Sequence, residues 1–275
     1  MNTEKQVSEH YTHGSLERAI LDAVKAMGKD PDRLSHEDLA PADEFHIGGR
    51  QATLDFAGQL KPRPTMHLLD IGCGLGGASR YFATERGCRV TGIDLTDEYV
   101  RVAEALSRRV GLGGQVFYRQ ASALALPFAD GSFDGAYMLH VGMNISDKPK
   151  LFSEIRRVLK PGALFGIYDV MRESDGEFAY PVPWAASAET NFIEFAETYK
   201  RLLAGSRFEI VDERSRRDFA IEFFRQLRAR MAQSGPSPLG LQIVMGATAP
   251  QKIANMIGLL EKGVLAPTEI VARAL

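Results

Sequence analysis

The chain has 275 residues, 25% of them charged, with a formal net charge of −2. That balance gives no reason to expect nucleic acid or a membrane as a partner, and the length suits one large α/β domain with an elaboration. Two cysteines, Cys73 and Cys88, argue against a disulfide framework and for a reducing cytoplasm. Residues 1–11 are polar and lack the apolar core of a signal peptide, and no apolar run approaches the roughly 18 residues that span a bilayer. The six histidines (His10, His13, His36, His46, His67 and His140) show no pair at metal-ligand spacing, so no metal is expected.

The first 60 residues read as helical and irregular, with the better helices at 16–27 and 49–59. They are expected to form an N-terminal helical cover, with an α/β domain over 61–275. From 66 to 170 short apolar runs alternate with amphipathic stretches, the rhythm of parallel strands joined by crossover helices. Strands are predicted at 66–71, 89–94, 116–120, 133–140 and 163–170, and helices at 79–86, 98–109 and 150–159. Lys160-Pro161-Gly162 ends the last of these helices, since proline cannot continue it and glycine accepts the turn that follows. Tyr180-Pro181-Val182-Pro183-Trp184 then breaks regular structure. Beyond it come helices at 190–203, 218–233 and 248–262, a strand at 208–213 and a short last strand at 269–273. The prediction is a Rossmann-like fold: a mainly parallel seven-stranded sheet with a reversed last strand, helices on both faces, and helical cap elements within about 171–265. Arg214, Arg216 and Arg217 alternate with Asp212, Glu213 and Asp218, and read as a solvated surface segment.

Leu68-Leu69-Asp70-Ile71-Gly72-Cys73-Gly74-Leu75-Gly76-Gly77 carries the strongest chemical signal. Glycines let a backbone turn sharply and approach a ligand, while the helix that follows offers free N–H groups. Gly72, Gly74 and Gly77 also satisfy the dinucleotide pattern G-x-G-x-x-G. Asp70, two residues before the first glycine, would repel a pyrophosphate but favour a cationic headgroup. S-adenosylmethionine carries a sulfonium and an ammonium and no phosphate. Asp94 ends the second strand, where a carboxylate can accept from both ribose hydroxyls; Leu95 follows it. The acid is common to nicotinamide and adenosylmethionine enzymes, so it points to an adenosine and leaves the reaction open.

On these motifs the stretch 66–170 resembles the class I S-adenosylmethionine-dependent methyltransferases. The resemblance implies that Asp70, Gly72, Gly74, Gly76, Asp94 and Leu95 bind the cofactor. It also implies that Ala121-Ser122-Ala123-Leu124 cradles the adenine through Ser122 and Ala123, where relatives usually have Asp in place of Ser122. Asp130-Gly131-Ser132-Phe133-Asp134 and Arg157-Val158-Leu159-Lys160-Pro161-Gly162 are structural hallmarks of the same family. The chain is further similar to sarcosine/dimethylglycine-type small-molecule N-methyltransferases through Asp43-Glu44-Phe45-His46, His140-Val141-Gly142-Met143-Asn144 and Pro181-Val182-Pro183-Trp184.

Methyl transfer from a sulfonium needs alignment and exclusion of water, and a base only where the acceptor arrives protonated. His140, at the carboxyl end of the fourth strand, is the candidate base, or alternatively a hydrogen-bonded support of the cofactor pocket. Tyr11, Glu44, His46, Asn144, Asp169 and Trp184 are candidate substrate contacts, Asp169 for a cationic amine and Trp184 as an aromatic wall. The expected function is methyl transfer to a small molecule, with an amine nitrogen favoured and S-adenosyl-L-homocysteine as the other product. The alternatives are O- or C-methylation of a small aromatic or isoprenoid metabolite, a nicotinamide oxidoreductase, and a non-catalytic adenosylmethionine-binding protein. Amphipathic late helices fit a cover over the site and a homodimer interface equally well.

Overall fold

A computed structural model of the chain describes residues 3–12 and 14–275; His13 lies outside the described residues. Four helices precede the first strand: α1 (Thr3–Tyr11), α2 (Leu16–Ala26), α3 (His36–Asp43) and α4 (Gly49–Leu60). Then follow β1 (His67–Ile71), α5 (Gly77–Arg86), β2 (Arg89–Asp94), α6 (Asp97–Arg109), β3 (Val116–Gln120), β4 (Phe133–Leu139), α7 (Lys148–Val158) and β5 (Leu159–Arg172). The remainder comprises α8 (Ala196–Gly205), β6 (Phe208–Ser215), α9 (Arg217–Ser234), α10 (Gln242–Met245), α11 (Ala249–Glu261) and β7 (Leu265–Ala274).

The seven strands form one sheet in the order β3-β2-β1-β4-β5-β7-β6. β1 to β5 run parallel, and β7 inserts antiparallel to both β5 and β6. This is the expected Rossmann-like sheet with its reversed last strand. The chain winds outward from β1 to β3, then returns to place β4 on the other side of β1. A crevice opens where the winding direction reverses, beyond the carboxyl ends of β1 and β4.

Alternating side chains of the strands serve opposite faces. Leu69 and Ile71 of β1 and Phe165 and Ile167 of β5 pack with Leu151, Phe152 and Ile155 of α7. Leu68, Tyr137 and Tyr168 pack on the other face with Phe56 of α4 and Phe82 of α5. Here α4 lies flat on the sheet and not over its edge. A Cβ at Gly166 would stand 2.5 Å from the Phe56 ring, so only glycine admits this approach. Of the N-terminal segment, then, α4 belongs to the α/β sandwich and α1 roofs the crevice.

Several boundaries depart from expectation. α1 and α3 were not foreseen; α3 is started by a Ser35–Asp38 capping box, the reciprocal pairing that satisfies two free N–H groups. Helix α8 begins at Ala196 because Phe195 still pairs with β5 through Arg172. The last strand is ten residues long, since it is clamped between two partners. Of the three arginines, Arg214 is exposed as expected and Arg217 half-buried, but Arg216 is not solvated. Arg216 is buried and pairs with Asp55 (2.6 Å) and Glu269 (3.3 Å), Arg214 also reaches Glu269 (2.6 Å), and Arg217 donates to the Leu260 carbonyl (2.9 Å). The fully buried Glu269 on β7 holds Arg216 inside and is capped by Arg214 from the surface, because a buried carboxylate must be neutralised. Among the described residues no helix is long and apolar enough to cross a membrane.

Candidate active site

The loop after β1 wraps around Asp94. Gly72 and Gly74 take φ of +68° and +53°, a region that favours glycine. A Cβ on Gly72 would also strike Val141 at 2.5 Å, whereas Gly74 faces open space. Asp94 Oδ2 accepts from the Gly74 amide (2.9 Å) and Oδ1 from the Thr96 amide (2.9 Å). The acid therefore shapes both the glycine loop and the start of α6, and each oxygen retains a second lone pair for a ligand. Burial pushes its carboxyl upward.

Asp70 accepts from Ser79 Oγ (2.6 Å) and Tyr137 Oη (3.1 Å). Burial outweighs these bonds and raises its carboxyl to about 7. Arg80 of α5 is fully buried. It donates to the Leu75 carbonyl (2.7 Å) and Ser107 Oγ (3.0 Å) and pairs with Asp43 at the end of α3. Sequence reasoning assigned no role to Asp43 or Arg80, because only the fold brings α3 onto α5.

A single cavity occupies the crevice. Asp70, Gly72, Gly74, Asp94, Leu95 and Tyr99 line one end, with Ala123 and Leu124 beside them. Elsewhere the wall is mainly apolar, with Met143, Trp184, Phe224 and Met256 in one cluster. No lysine or arginine lines this cavity among the described residues. Phe223, Phe224, Leu227, Leu241, Met245, Ile253 and Met256, from the segment between β6 and β7, went unassigned. Their helical spacing is legible, but it looks the same for core, cover or interface.

The structure brings Asp70, Gly72, Gly74, Asp94, Leu95, Ala123, His140, Tyr11, His46, Asn144 and Trp184 to the cavity wall. Tyr11 Oη donates to Asn144 Oδ1 (3.4 Å), joining the roof to the loop after β4. Trp184 packs among apolar neighbours and donates to Asn191 Oδ1 (2.8 Å).

Four expected contacts stand elsewhere. Gly76 caps α5 behind the loop, against the Tyr118 ring. Ser122 Oγ accepts from the Leu124 amide (3.0 Å) and meets Glu4 of α1, so it fastens the roof. Asp169 is fully buried beneath the wall, accepting from Tyr199 Oη (2.7 Å) and the Val170 amide (3.0 Å). Glu44 lies behind His46 and accepts from Thr53 Oγ1 (2.6 Å).

The geometry also corrects the reading of His140 as a base. Its φ is +55°, Nδ1 donates to the Tyr168 carbonyl (3.1 Å), and Nε2 accepts from the Ile47 amide (3.3 Å). Burial pushes both wall imidazoles down, His140 to about 3 and His46 to about 4, so the engaged nitrogens, and not the titration, set His140 apart. With both nitrogens occupied inside the protein, His140 supports the wall.

The adenosylmethionine expected from the sequence would present a ribose diol and a cationic headgroup to this cavity. The cavity's polar end combines buried carboxylates, a glycine loop that a ligand can approach closely, and no lining lysine or arginine. That donor set fits a dihydroxylated ribose and a cationic headgroup and opposes a pyrophosphate. The residues present fit the group.

Comparison with known proteins agrees. Residues 69–167 match the family described as a methyltransferase domain. An O-methyltransferase of Pyrenophora dematioidea is 29% identical over 177 residues, 62% of this chain and 65% of that protein. The sterol 24-C-methyltransferase ERG6B of Gibberella zeae is 36% identical over 107 residues, 39% of this chain and 28% of that one. The chain thus spans less than two thirds of the length of these curated relatives.

Among solved structures, geranyl diphosphate C-methyltransferase from Streptomyces coelicolor overlays with a TM-score of 0.73 at 19% identity, covering 100% and 98% of the two chains. A Galdieria sulphuraria structure named for sarcosine and dimethylglycine methylation overlays at 0.60, with 20% identity over 82% of each chain. At these identities the overlays establish the fold alone. The methyltransferase-domain match is thus confined to residues 69–167, and the narrower sarcosine-type resemblance rests on a distant structural neighbour.

Proposed function

We propose that the chain is an S-adenosylmethionine-dependent methyltransferase acting on an uncharged or weakly polar small molecule. The observation that carries this reading is the division of the cavity: acidic and glycine-lined at one end, apolar at the other, with no cationic side chain on its wall among the described residues. When bound, adenosylmethionine supplies an activated methyl group.

Asp94 would hold its ribose, the Gly72–Gly74 backbone its amino-acid portion with Asp70 behind, and Leu95, Ala123 and Leu124 its adenine. The roof formed by Tyr11 and Phe45 and the cap formed by α9–α11 exclude water, which aligns the acceptor and protects the reaction from hydrolysis. The wall supports an apolar acceptor over the sarcosine-like amine expected from the sequence. A free amino acid or phosphorylated amine would leave its anion unpaired in the cavity, a costly burial. O- or C-methylation is therefore the better reading, in keeping with what the relatives above are named for.

Isothermal titration with S-adenosylmethionine, S-adenosylhomocysteine and NADH tests the cofactor. Binding of the two adenosyl compounds alone is expected, and binding of NADH alone would overturn the reading. Acceptors are then screened with tritiated adenosylmethionine, setting apolar phenols and isoprenoid alcohols against sarcosine and dimethylglycine. Transfer confined to the amino acids would refute the apolar-acceptor assignment.

A further inference from the structure

Behind the cavity wall three side chains form a chain of hydrogen bonds that ends on the wall itself. Glu44 is buried and accepts from Thr53 Oγ1 at 2.6 Å. Thr53 is fully buried and has one hydroxyl proton, which this bond consumes. His46 Nε2 stands 3.0 Å from Thr53 Oγ1 and 3.1 Å from the Gly49 carbonyl. A carbonyl can only accept, and the Thr53 oxygen has already given its proton to Glu44. His46 Nε2 must therefore carry the hydrogen, which leaves Nδ1 of the neutral ring with a lone pair. Nδ1 takes part in none of these bonds, and His46 lines the cavity. Its ring centre lies 5.9 Å from that of His140, which closes β4 beside the glycine loop. His140 has the opposite arrangement, with Nδ1 donating and Nε2 occupied. Of the two histidines on this wall, His46 alone has a nitrogen without a hydrogen-bond partner among the described residues.

We infer that His46 Nδ1 receives the proton of a hydroxyl-bearing apolar acceptor, phenol or enol, with Thr53 and Glu44 holding the ring in its proton-accepting tautomer. The inference rests on the methyl-transfer reading above and narrows it to oxygen. In the step, the acceptor O–H proton passes to Nδ1 as the oxygen–methyl bond forms. The carbon–sulfur bond breaks with its electron pair on sulfur, which becomes a neutral thioether. The imidazolium returns its proton to solvent once product leaves. Glu44 Oε2 stands 3.7 Å from His46 Nε2 and Oε1 3.9 Å from Arg50, so its carboxylate stabilises the transient cation both directly and through Thr53. Thr53 and Glu44 are positioning residues.

The test uses the full chain labelled with 15N-histidine, saturated with S-adenosylhomocysteine, and the probes 1-naphthol and 1-methoxynaphthalene. Long-range 1H–15N spectra of the free chain at neutral pH are expected to show His46 neutral with Nε2 protonated and His140 neutral with Nδ1 protonated. Adding 1-naphthol should shift His46 Nδ1 and leave the His140 nitrogens in place. 1-Methoxynaphthalene, which has no proton to give, should bind about tenfold more weakly and leave Nδ1 unshifted. Thr53→Val should mix the two tautomers of His46 and abolish the naphthol shift, while Thr53→Ser, which keeps the hydroxyl, should restore it.

A charged or Nδ1-protonated His46 would overturn the inference. So would equal responses to the two probes, or failure of both to bind. Failure of S-adenosylhomocysteine to bind would instead strike the methyltransferase reading; the tautomers of the free chain, read without it, separate the two failures.

Discussion

Asp43 and Arg80 meet in the seam between the N-terminal helices and the glycine loop, and both are buried. The arginine leans on the Leu75 carbonyl inside the loop, so one ion pair ties the last turn of α3 to the backbone that faces the ligand. Burial alone would raise the aspartate, and its carboxyl stays at about 6 even beside the guanidinium. Removing one partner leaves a buried charge uncompensated, which costs about 3–5 kcal/mol. Asp43→Ala should lose stability of that order in urea denaturation and weaken adenosylhomocysteine binding as well, because the loop loses its brace. Asp43→Asn, which still accepts a hydrogen bond, should recover part of both. An unchanged urea midpoint for Asp43→Ala would show that water already reaches the pair.

Asp94 combines a structural and a ligand-facing role. Asp94→Ala frees the Gly74 and Thr96 amides, a loss of about 1–3 kcal/mol for each group left buried and unpaired. Titration calorimetry should find adenosylhomocysteine binding to the folded variant weakened by at least 100-fold, beside the loss of fold stability. A stability loss with adenosylhomocysteine affinity unchanged would reduce Asp94 to a scaffold residue.

Asp70 predicts a pH dependence with a definite sign. In the free chain its carboxyl stands near 7, above its ordinary 3.8, so it is protonated below neutrality. A cationic headgroup favours the ionised form and pulls that value down. Binding at pH 6 must therefore release a proton, and affinity for adenosylmethionine should fall up to about tenfold per pH unit below 7, levelling above it. The same raised value makes Asp70 a source of folded-state stability that grows as pH falls from 7 toward 3.8. Calorimetry in buffers of different ionisation enthalpy reads the proton directly, and Asp70→Asn should flatten the profile. A wild-type profile with no slope between pH 6 and 8 would refute the pairing.

The cofactor end of the cavity was legible because it is local. Asp70, the glycines and Asp94 lie at strand ends, and the strand–turn–helix rhythm fixes where those ends point. The acceptor end was not legible, because it is assembled from α1, the loops after β4 and β5, and the segment between β6 and β7. Trp184 and Phe224 meet there only after the sheet has formed. Ser122 and Asp169 misled for a related reason: each stands at the expected strand end, yet each is turned toward another element, Glu4 in one case and Tyr199 in the other. Arg216 looked solvated because Asp55 and Glu269, its partners, are remote in sequence. The direction of β7 followed from the motif pattern, while its length depended on having β5 and β6 on either side.

Trp184 is the only tryptophan of the chain, and it is 3% exposed on the cavity wall. Its emission should be blue-shifted in the free protein and should respond when an apolar acceptor analogue enters, while Asp94-side ligands alone change it little. Phe224→Asp, which buries a charge in the same wall, should suppress the response to the analogue and leave adenosylhomocysteine affinity within about twofold. A spectrum indifferent to every apolar ligand would place the acceptor elsewhere.

The segment from Arg217 to Glu261 leaves the sheet at the end of β6 and returns to it at the start of β7. Those strands pair directly, Ser215 opposite Thr268, so the excursion begins and ends at nearly one point. A module anchored that way can be exchanged as a cassette. Its forty-odd residues touch the cofactor end through Leu239 and Val244, which pack in one cluster with Leu75 and Tyr99, so an exchanged segment would have to keep those two contacts. On the proposed division of the cavity, acceptor choice could then drift in this segment while those two contacts hold the cofactor end in place.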